Sequence, residues 1–265
     1  MYRYFFIAKN NIRKQKSDMI TFLLMTMITA FLLFISISYM TGIGDVIDSV
    51  YKKINGTDLT FIASPDRLTE EKLKGVILEN PYCGSYEITK NLTVANAKYG
   101  KRPDRKMSEY GFVFISYEQE INIQKISTDT VGLSGDDAVI PVRMSPDYGI
   151  GDTMYLKLGD NSYALKVKGY AEDSLYCSPM NIGDYVIYIS DDLYEEILFE
   201  NPSVAKEFAV HKVRLTADAK RKGMKQEEIL DHISSEVTDW ASGYRMKHPE
   251  YEGGIRNSFS YEMLH

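Results

Sequence analysis

The chain has 265 residues, 44% of them hydrophobic and 26% charged, which excludes wholesale disorder and leaves room for one large or two small domains. Lys and Arg number 31 against 37 Asp and Glu, a formal net charge of minus 6, which excludes a globally basic nucleic-acid binder. The average conceals a split: Arg3, Lys9, Arg13, Lys14 and Lys16 face only Asp18 in the first 18 positions, and the other 26 basic and 36 acidic residues leave minus 10 from Met19 onward.

Between these blocks runs an uncharged stretch, Met19 to Met40, MITFLLMTMITAFLLFISISYM. As a helix rising ~1.5 Å per residue, its 22 residues cover ~33 Å, against a hydrocarbon core of ~30 Å. One membrane pass is the direct reading. The positive-inside rule puts residues 1–18 in the cytoplasm and everything after about residue 41 outside, with Tyr39 at the outer interface. A cleaved signal peptide is a rival, with Ser36-Ile37-Ser38 as a loose cleavage site, but the apolar run exceeds the ~7–15 residues usual for such segments. A buried core helix would need a larger soluble domain around it.

Tyr4, Phe5, Ala8 and Ile12 recur at helical spacing, so residues 1–18 read either as a basic amphipathic segment on the inner leaflet or as a plain positive flank. Thr26, Thr29 and Ser36 lie along one helix face, where they can bond to neighbouring helices or back to their own carbonyls; the second is the commoner behaviour.

Gly42 and Gly44 are expected to loosen the helix, and Val46, Ile47, Val50, Tyr51 and Ile54 to continue it as a stalk over 41–56, stopping at Asn55-Gly56. Asp58 to Ala63 predicts a strand, followed by a helix opening at Thr69 with Leu73, Val76 and Ile77 facing a core. Two strand-like stretches follow, Ser85 to Ala97 and Tyr110 to Glu118, with the polar Tyr99 to Glu109 between them read as a loop. Lys98, Lys101, Arg102, Arg105 and Lys106 there suit an anion, but solvated charge on an exposed loop is the commoner case. No aromatic platform is interleaved for single-stranded nucleic acid.

Gly149 and Gly151-Asp152 mark a turn, Thr153 to Leu158 a strand, Gly159-Asp160-Asn161 a hairpin turn, and Ser162 to Tyr170 a second strand. Tyr185 to Ile189 is another strand, running into the helix cap Ser190-Asp191-Asp192 before Leu193, Ile197 and Leu198. Phe208 to Leu215 is a further strand. Gln226 to Trp240 is a helix with Ile229, Leu230, Ile233, Val237 and Trp240 on one face, and Gly253 to His265 is a polar tail. The fold class is therefore α+β: a single N-terminal transmembrane helix (19–40) and stalk (41–56), then a mixed α/β extracytoplasmic domain (57–265) of one or two subdomains.

Catalytic chemistry finds little support. No Gly-x-x-x-x-Gly-Lys-Ser/Thr loop and no dinucleotide fingerprint occurs, so ATP binding by this chain is not expected. His211, His232, His248 and His265 form no metal-ligand spacing, and Asp136-Asp137 and Asp191-Asp192 do not fit a calcium loop. Cys83 and Cys177 lie 94 positions apart and could pair outside a membrane, but the spacing carries no information. Cys177 with His211 suggests a cysteine transpeptidase as a remote rival lacking that family's local signature. No catalytic, cofactor or metal residue is assigned.

The opening Ala8-Lys9-Asn10-Asn11-Ile12-Arg13-Lys14-Gln15-Lys16 resembles the "lAlkNlrrnk" start of FtsX-like permeases of ABC transporters, the group that includes MacB. Gly151-Asp152 and Lys166-Val167-Lys168-Gly169-Tyr170-Ala171-Glu172-Asp173 resemble the "GD" and "kVvGi.ed" signature of their extracytoplasmic (MacB-like periplasmic core) domain. The resemblance implies a cell-membrane permease component, an ATPase subunit at the cytoplasmic side that hydrolyses ATP, and a moving outer domain used for export, mechanotransmission or antimicrobial-peptide sensing. It implies as partners that ATPase, the lipid bilayer, further transmembrane helices absent from this chain and an extracytoplasmic peptide or protein, with no nucleic acid. On this reading the chain covers the N-terminal half of such a module, either as a portion or as a split permease. The alternative is a single-pass surface binding or sensor protein without an ATPase.

Overall fold

The structure is a computed structural model describing residues 16–103 and 107–264. The expected amphipathic character of residues 1–15, the loop cations Arg105 and Lys106, and His265 lie outside the described residues. The chain divides into two units, residues 1–49 and 50–265.

In the first unit the apolar stretch is helical, within helix α1, Lys16–Lys53. An 18-residue window of it has a mean hydropathy of 2.5, and it is the one described helix long and apolar enough to cross a membrane. The hydroxyls of Thr26, Thr29 and Ser36 donate to the carbonyls of Phe22, Met25 and Leu32, four residues back, at 2.8–2.9 Å. Gly42 and Gly44 fall inside the helix, so no break separates a stalk. The stop comes at Asn55-Gly56 as the sequence suggests: Asn55 takes φ 53°, and the Gly56 amide donates to the Tyr51 carbonyl at 2.8 Å.

The second unit contains β1 (Leu59–Ala63), α2 (Arg67–Glu79), β2 (Cys83–Gly100), β3 (Ser108–Ser116), β4 (Asp137–Pro141), β5 (Thr153–Leu158), β6 (Asn161–Ala171) and β7 (Tyr185–Ile189). Then come α3 (Asp191–Glu200), β8 (Ala205–Leu215), α4 (Ala217–Arg221), α5 (Gln226–Lys247), β9 (Ile255–Ser260) and α6 (Tyr261–Leu264).

The 18-residue β2 changes partners along its length. Cys83 to Val94 pairs with β8, Lys98 to Gly100 pairs with β5, and the opposite edge carries β3. The change falls at a bulge between Val94 and Ala97, where Asn96 sits at φ 59° and turns the strand. From β3 the pairing continues through β7, β4, β6 and β5 back to β2, closing a ring of six strands. Leu92, Phe112, Phe114, Ile140, Leu156, Leu165 and Ile187 fill its interior, with Leu193 and Ile197 of α3 added to the same core. The outer faces of β3, β4 and β7 are buried too, under Tyr117, Ile121, Ile126 and Leu133, which explains the continuous apolar runs FVFIS and YVIYI.

The first part of β2 also belongs to an antiparallel sheet, β2-β8-β1-β9. One face, carrying Leu59, Phe61, Val213 and Leu215, packs on Leu73 and Ile77 of α2 and Ile229, Ile233 and Val237 of α5.

The structure corrects several sequence expectations. Helix α2 opens at Arg67 because the Asp66 carboxylate caps it, accepting from the Thr69 amide at 2.9 Å. The ends of the expected loop Tyr99 to Glu109 are strand, with Lys98 opposite Glu109 and Tyr99 opposite Ser108 in a hairpin. Asn161 starts β6 rather than closing the turn. Helix α5 runs seven residues past Trp240. The tail supplies β9 and α6; β9 was hidden because IRNSFS is a polar edge strand without the apolar alternation of its neighbours.

Candidate functional site

The most elaborated polar region of the second unit is where its first residues, Val50 to Gly56, dock onto the sheet. The last carbonyls of a helix have no partner within it. Here the Ile54 carbonyl accepts from the Lys125 amide at 2.7 Å, and the Asn55 carbonyl accepts from the Gln124 amide at 3.0 Å. Asn55 donates through Nδ2 to the Asn122 carbonyl, and Gln124 Oε1 accepts from the Thr57 amide. Ile54 is buried beneath these bonds. Lys52 and Lys53 occupy the final turn, where positive charge suits the helix dipole.

Beside this junction lies the buried carboxylate of Asp58, 1% exposed. It accepts from the Tyr51 hydroxyl at 2.6 Å and from the Leu215 amide at 2.7 Å, with Lys220 Nζ at 3.0 Å and Arg214 Nε at 3.7 Å. Arg214 also donates to the Tyr51 hydroxyl and the Gly56 carbonyl, and its guanidinium sits 5.1 Å from the centre of the Tyr51 ring. Burial, reinforced by the hydrogen bond to Asp58, holds the Tyr51 hydroxyl above its ordinary titration range. A buried charge with this many partners fixes geometry more than it adds stability.

Lys212, two residues before Arg214 on the same face, is 5% exposed, and burial pulls its ammonium down to about 8 against the opposing pull of Glu87. Glu87 accepts from the amides of Asn122 and Ile123, while Lys212 donates to the Ile123 carbonyl at 3.2 Å. The segment that caps the helix is thus tied to the sheet by two charged side chains.

The segment Gly169 to Asp173 forms the other wall. A Cβ on Gly169 would stand 2.0 Å from the Thr130 hydroxyl, so only glycine lets the 126–131 segment cross β6 here. Glu172 pairs with Lys53 at 2.5 Å and donates its amide to the Ser127 carbonyl. Asp173 pairs with Arg143 and accepts from Asn181 Nδ2; burial raises its carboxyl, with Arg143 opposing. Gly151 takes φ +92°, and Asp152 closes its turn by accepting from the Gly149 amide at 2.8 Å. The stretches GD and KVKGYAED therefore hold a turn and a close crossing, and the second reaches the helix end through Glu172.

The cysteines and histidines lie apart. Phe61 and His211 face each other on β1 and β8, as do Thr60 and Lys212 one position along, so the two pairs point to opposite faces. Cys177 Sγ lies 3.3 Å from Thr60 Oγ1, on the side away from His211, and no Cys–His dyad forms. Burial pushes the Cys177 thiol up to about 12 and pulls His211 down to about 4, and the Tyr86 hydroxyl shares a hydrogen bond with His211 Nδ1 at 2.7 Å. Cys83 and Cys177 are both free thiols. Among the described residues no group of His, Cys, Asp or Glu could hold a metal. Asp137 pairs with Lys168, Asp191 lies in the first turn of α3, and Lys101 rests over the Tyr148 ring.

No family model and no curated protein matches this chain. Among solved structures it is similar to the extracellular domain of the noncanonic ABC-type transporter YknZ from Gram-positive bacteria, at 12% identity and a TM-score of 0.35, over 75% of this chain and 100% of that one. It is also similar to a domain described as part of a permease protein from Porphyromonas gingivalis, at 12% identity and a TM-score of 0.39, over 75% of this chain and 88% of the other.

Sequence reasoning passed over Asp58, Glu87, Lys212, Arg214 and Lys220. The available signal was His211-Lys212-Val213-Arg214, three ionisable side chains inside one strand between apolar neighbours.

Proposed function

We propose that this chain is a membrane-spanning permease component of an ABC transporter of the FtsX-like, MacB-like type, in which helix movement is passed to an extracytoplasmic domain. The observation that carries the reading is the docking of residues 50–56. Their carbonyls, Tyr51 and Lys53 are gripped by Asp58, Arg214, the 122–125 segment and Glu172, the last within the stretch that resembles the permease signature. A displaced helix end would pull on β1 and β8 through Asp58 and on β6 through Glu172. In this proposal residues 19–40 span the bilayer, the basic start faces the cytoplasm and a separate ATPase, and further transmembrane helices complete the transport unit. The chain itself performs no hydrolysis.

The test is co-purification of the full chain from its native membranes, followed by hydrogen exchange on the complex with and without ATP and vanadate. A P-loop ATPase should accompany the chain, and nucleotide should change exchange in β1, β8 and residues 122–130. In Asp58→Asn that change should vanish while ATP hydrolysis continues. If no ATPase accompanies the chain and nucleotide leaves the domain unaltered, the single-pass surface-protein reading replaces this one.

A further inference from the structure

Next to the docked helix end lies an open cavity of about 670 Å³, large enough for a small ligand. Its polar lining includes both paired donors and donors that the protein leaves unused. Three lysines line it from three segments: Lys53 of α1, Lys125 of the capping segment and Lys168 of β6. Lys53 is neutralised by Glu172, and Lys168 is 3.4 Å from the Asp137 carboxylate, whereas Lys125 makes no ion pair among the described residues. The half-buried hydroxyls of Ser127, Thr128 and Thr130 also line it, and none donates to an acceptor of the protein among the described residues.

Two further features narrow the ligand. Glu172 Oε2 is buried without a hydrogen-bond partner, an acceptor in want of a donor. On the rim, Val142 and Ile150 are 49% and 67% exposed, an apolar surface beside the cations. Asp129 is the remaining carboxylate of the lining and is exposed to solvent.

We infer that this cavity binds an anionic amphiphile whose head group carries a phosphate and a free hydroxyl. The phosphate oxygens accept from Lys125, Lys168 and the three hydroxyls. A turn of the Glu172 carboxylate brings Oε2, which is closed to solvent in the unliganded protein, to the ligand hydroxyl, and the apolar body lies over Val142 and Ile150. Such a ligand bridges the helix-capping segment and β6, so its occupancy fastens the two walls of the junction. The inference stands on the lining alone and holds with or without an ATPase partner.

The head-group chemistry has two sources, a membrane lipid or a soluble polyol phosphate. The full chain in a neutral maltoside detergent is titrated with lyso-phosphatidylglycerol, lyso-phosphatidylcholine and glycerol 3-phosphate, with bound stoichiometry read by native mass spectrometry. Lyso-phosphatidylglycerol should saturate at one per chain and bind at least about tenfold tighter than lyso-phosphatidylcholine. Lys125→Gln with Lys168→Gln, both exposed positions, should weaken it by more than about thirtyfold while the melting temperature stays unchanged. Val142→Ser with Ile150→Ser should weaken the lyso-lipid alone. Competition by glycerol 3-phosphate at similar concentration overturns the amphiphile and leaves a soluble polyol phosphate as the occupant; failure to compete supports the lipid. Equal binding of the two lyso-lipids, or wild-type affinity in the double lysine variant, overturns the inference.

Discussion

Inside the six-stranded ring, Leu92, Phe114, Leu156 and Ile187 are enclosed among other apolar side chains, whereas the four-stranded sheet buries Thr60, Lys212 and Cys177 on the face turned from its helices. Both regions use β2, so the contrast comes from what covers each surface. The ring covers itself by closing. The sheet has α2 and α5 on one face, while its other face is covered by the helix end and the loops around Gln124 and Cys177, whose backbones bring donors and acceptors with them. A polar cover demands polar partners beneath it, and Asp58, Glu87, Lys212 and Arg214 are those partners.

The sharpest way to break this contrast is Phe114→Ala, which opens the ring core and should cost about 3–5 kcal/mol. Denaturant unfolding of the full chain, followed by the fluorescence of Trp240, the single tryptophan, reads the loss. Asp58→Asn strikes the polar cover instead and should cost about 3 kcal/mol, because Arg214 and Lys220 lose their shared counter-charge. A loss below about 1 kcal/mol would show that solvent reaches the carboxylate freely.

A smaller effect should separate the regions by pH. The folded-state ammonium of Lys212 titrates at about 8 instead of 10.5, so between those values the unfolded chain binds more protons and this group's contribution to stability rises with pH. Below about pH 8 the full penalty of its burial is present. The stability of Lys212→Met relative to wild type should therefore fall by about 3 kcal/mol from pH 7 to 10.5, and a flat difference would contradict the burial. Smallest is Lys53→Gln: its pair with Glu172 is largely exposed on the lysine side, so stability should change by about 0–1 kcal/mol, checked in the same unfolding curves.

The two regions also differ in how far their sequences announced them. Strands β5 and β7 were legible to the residue, because TMYLKL alternates and YVIYI is an apolar run bounded by turn residues. The cap at Ser190 was equally plain, its side chain accepting from the Leu193 amide. Closure of the ring was not, since β3 and β7 pair in parallel with no local turn to signal it. The junction was less legible still: Asp58 and Arg214 are remote in sequence, and a lone charge at the start of a strand reads as an exposed end. Gly169 stood in the permease-like stretch, but the hydroxyl that requires it, that of Thr130, belongs to a segment with no periodicity of its own.

The shared strand β2 sets a schedule for synthesis. Val94 pairs with Ala205 and Cys83 with Leu215, so the Cys83–Val94 part of that edge cannot be satisfied until at least 111 further residues have been made, although Lys98 to Gly100 finds β5 sooner. At ~5–20 residues per second the edge stays open for roughly 6–22 s, long enough to recruit stray strands. A chain released before Ala205 would carry this unpaired edge permanently and should be the form most prone to aggregate.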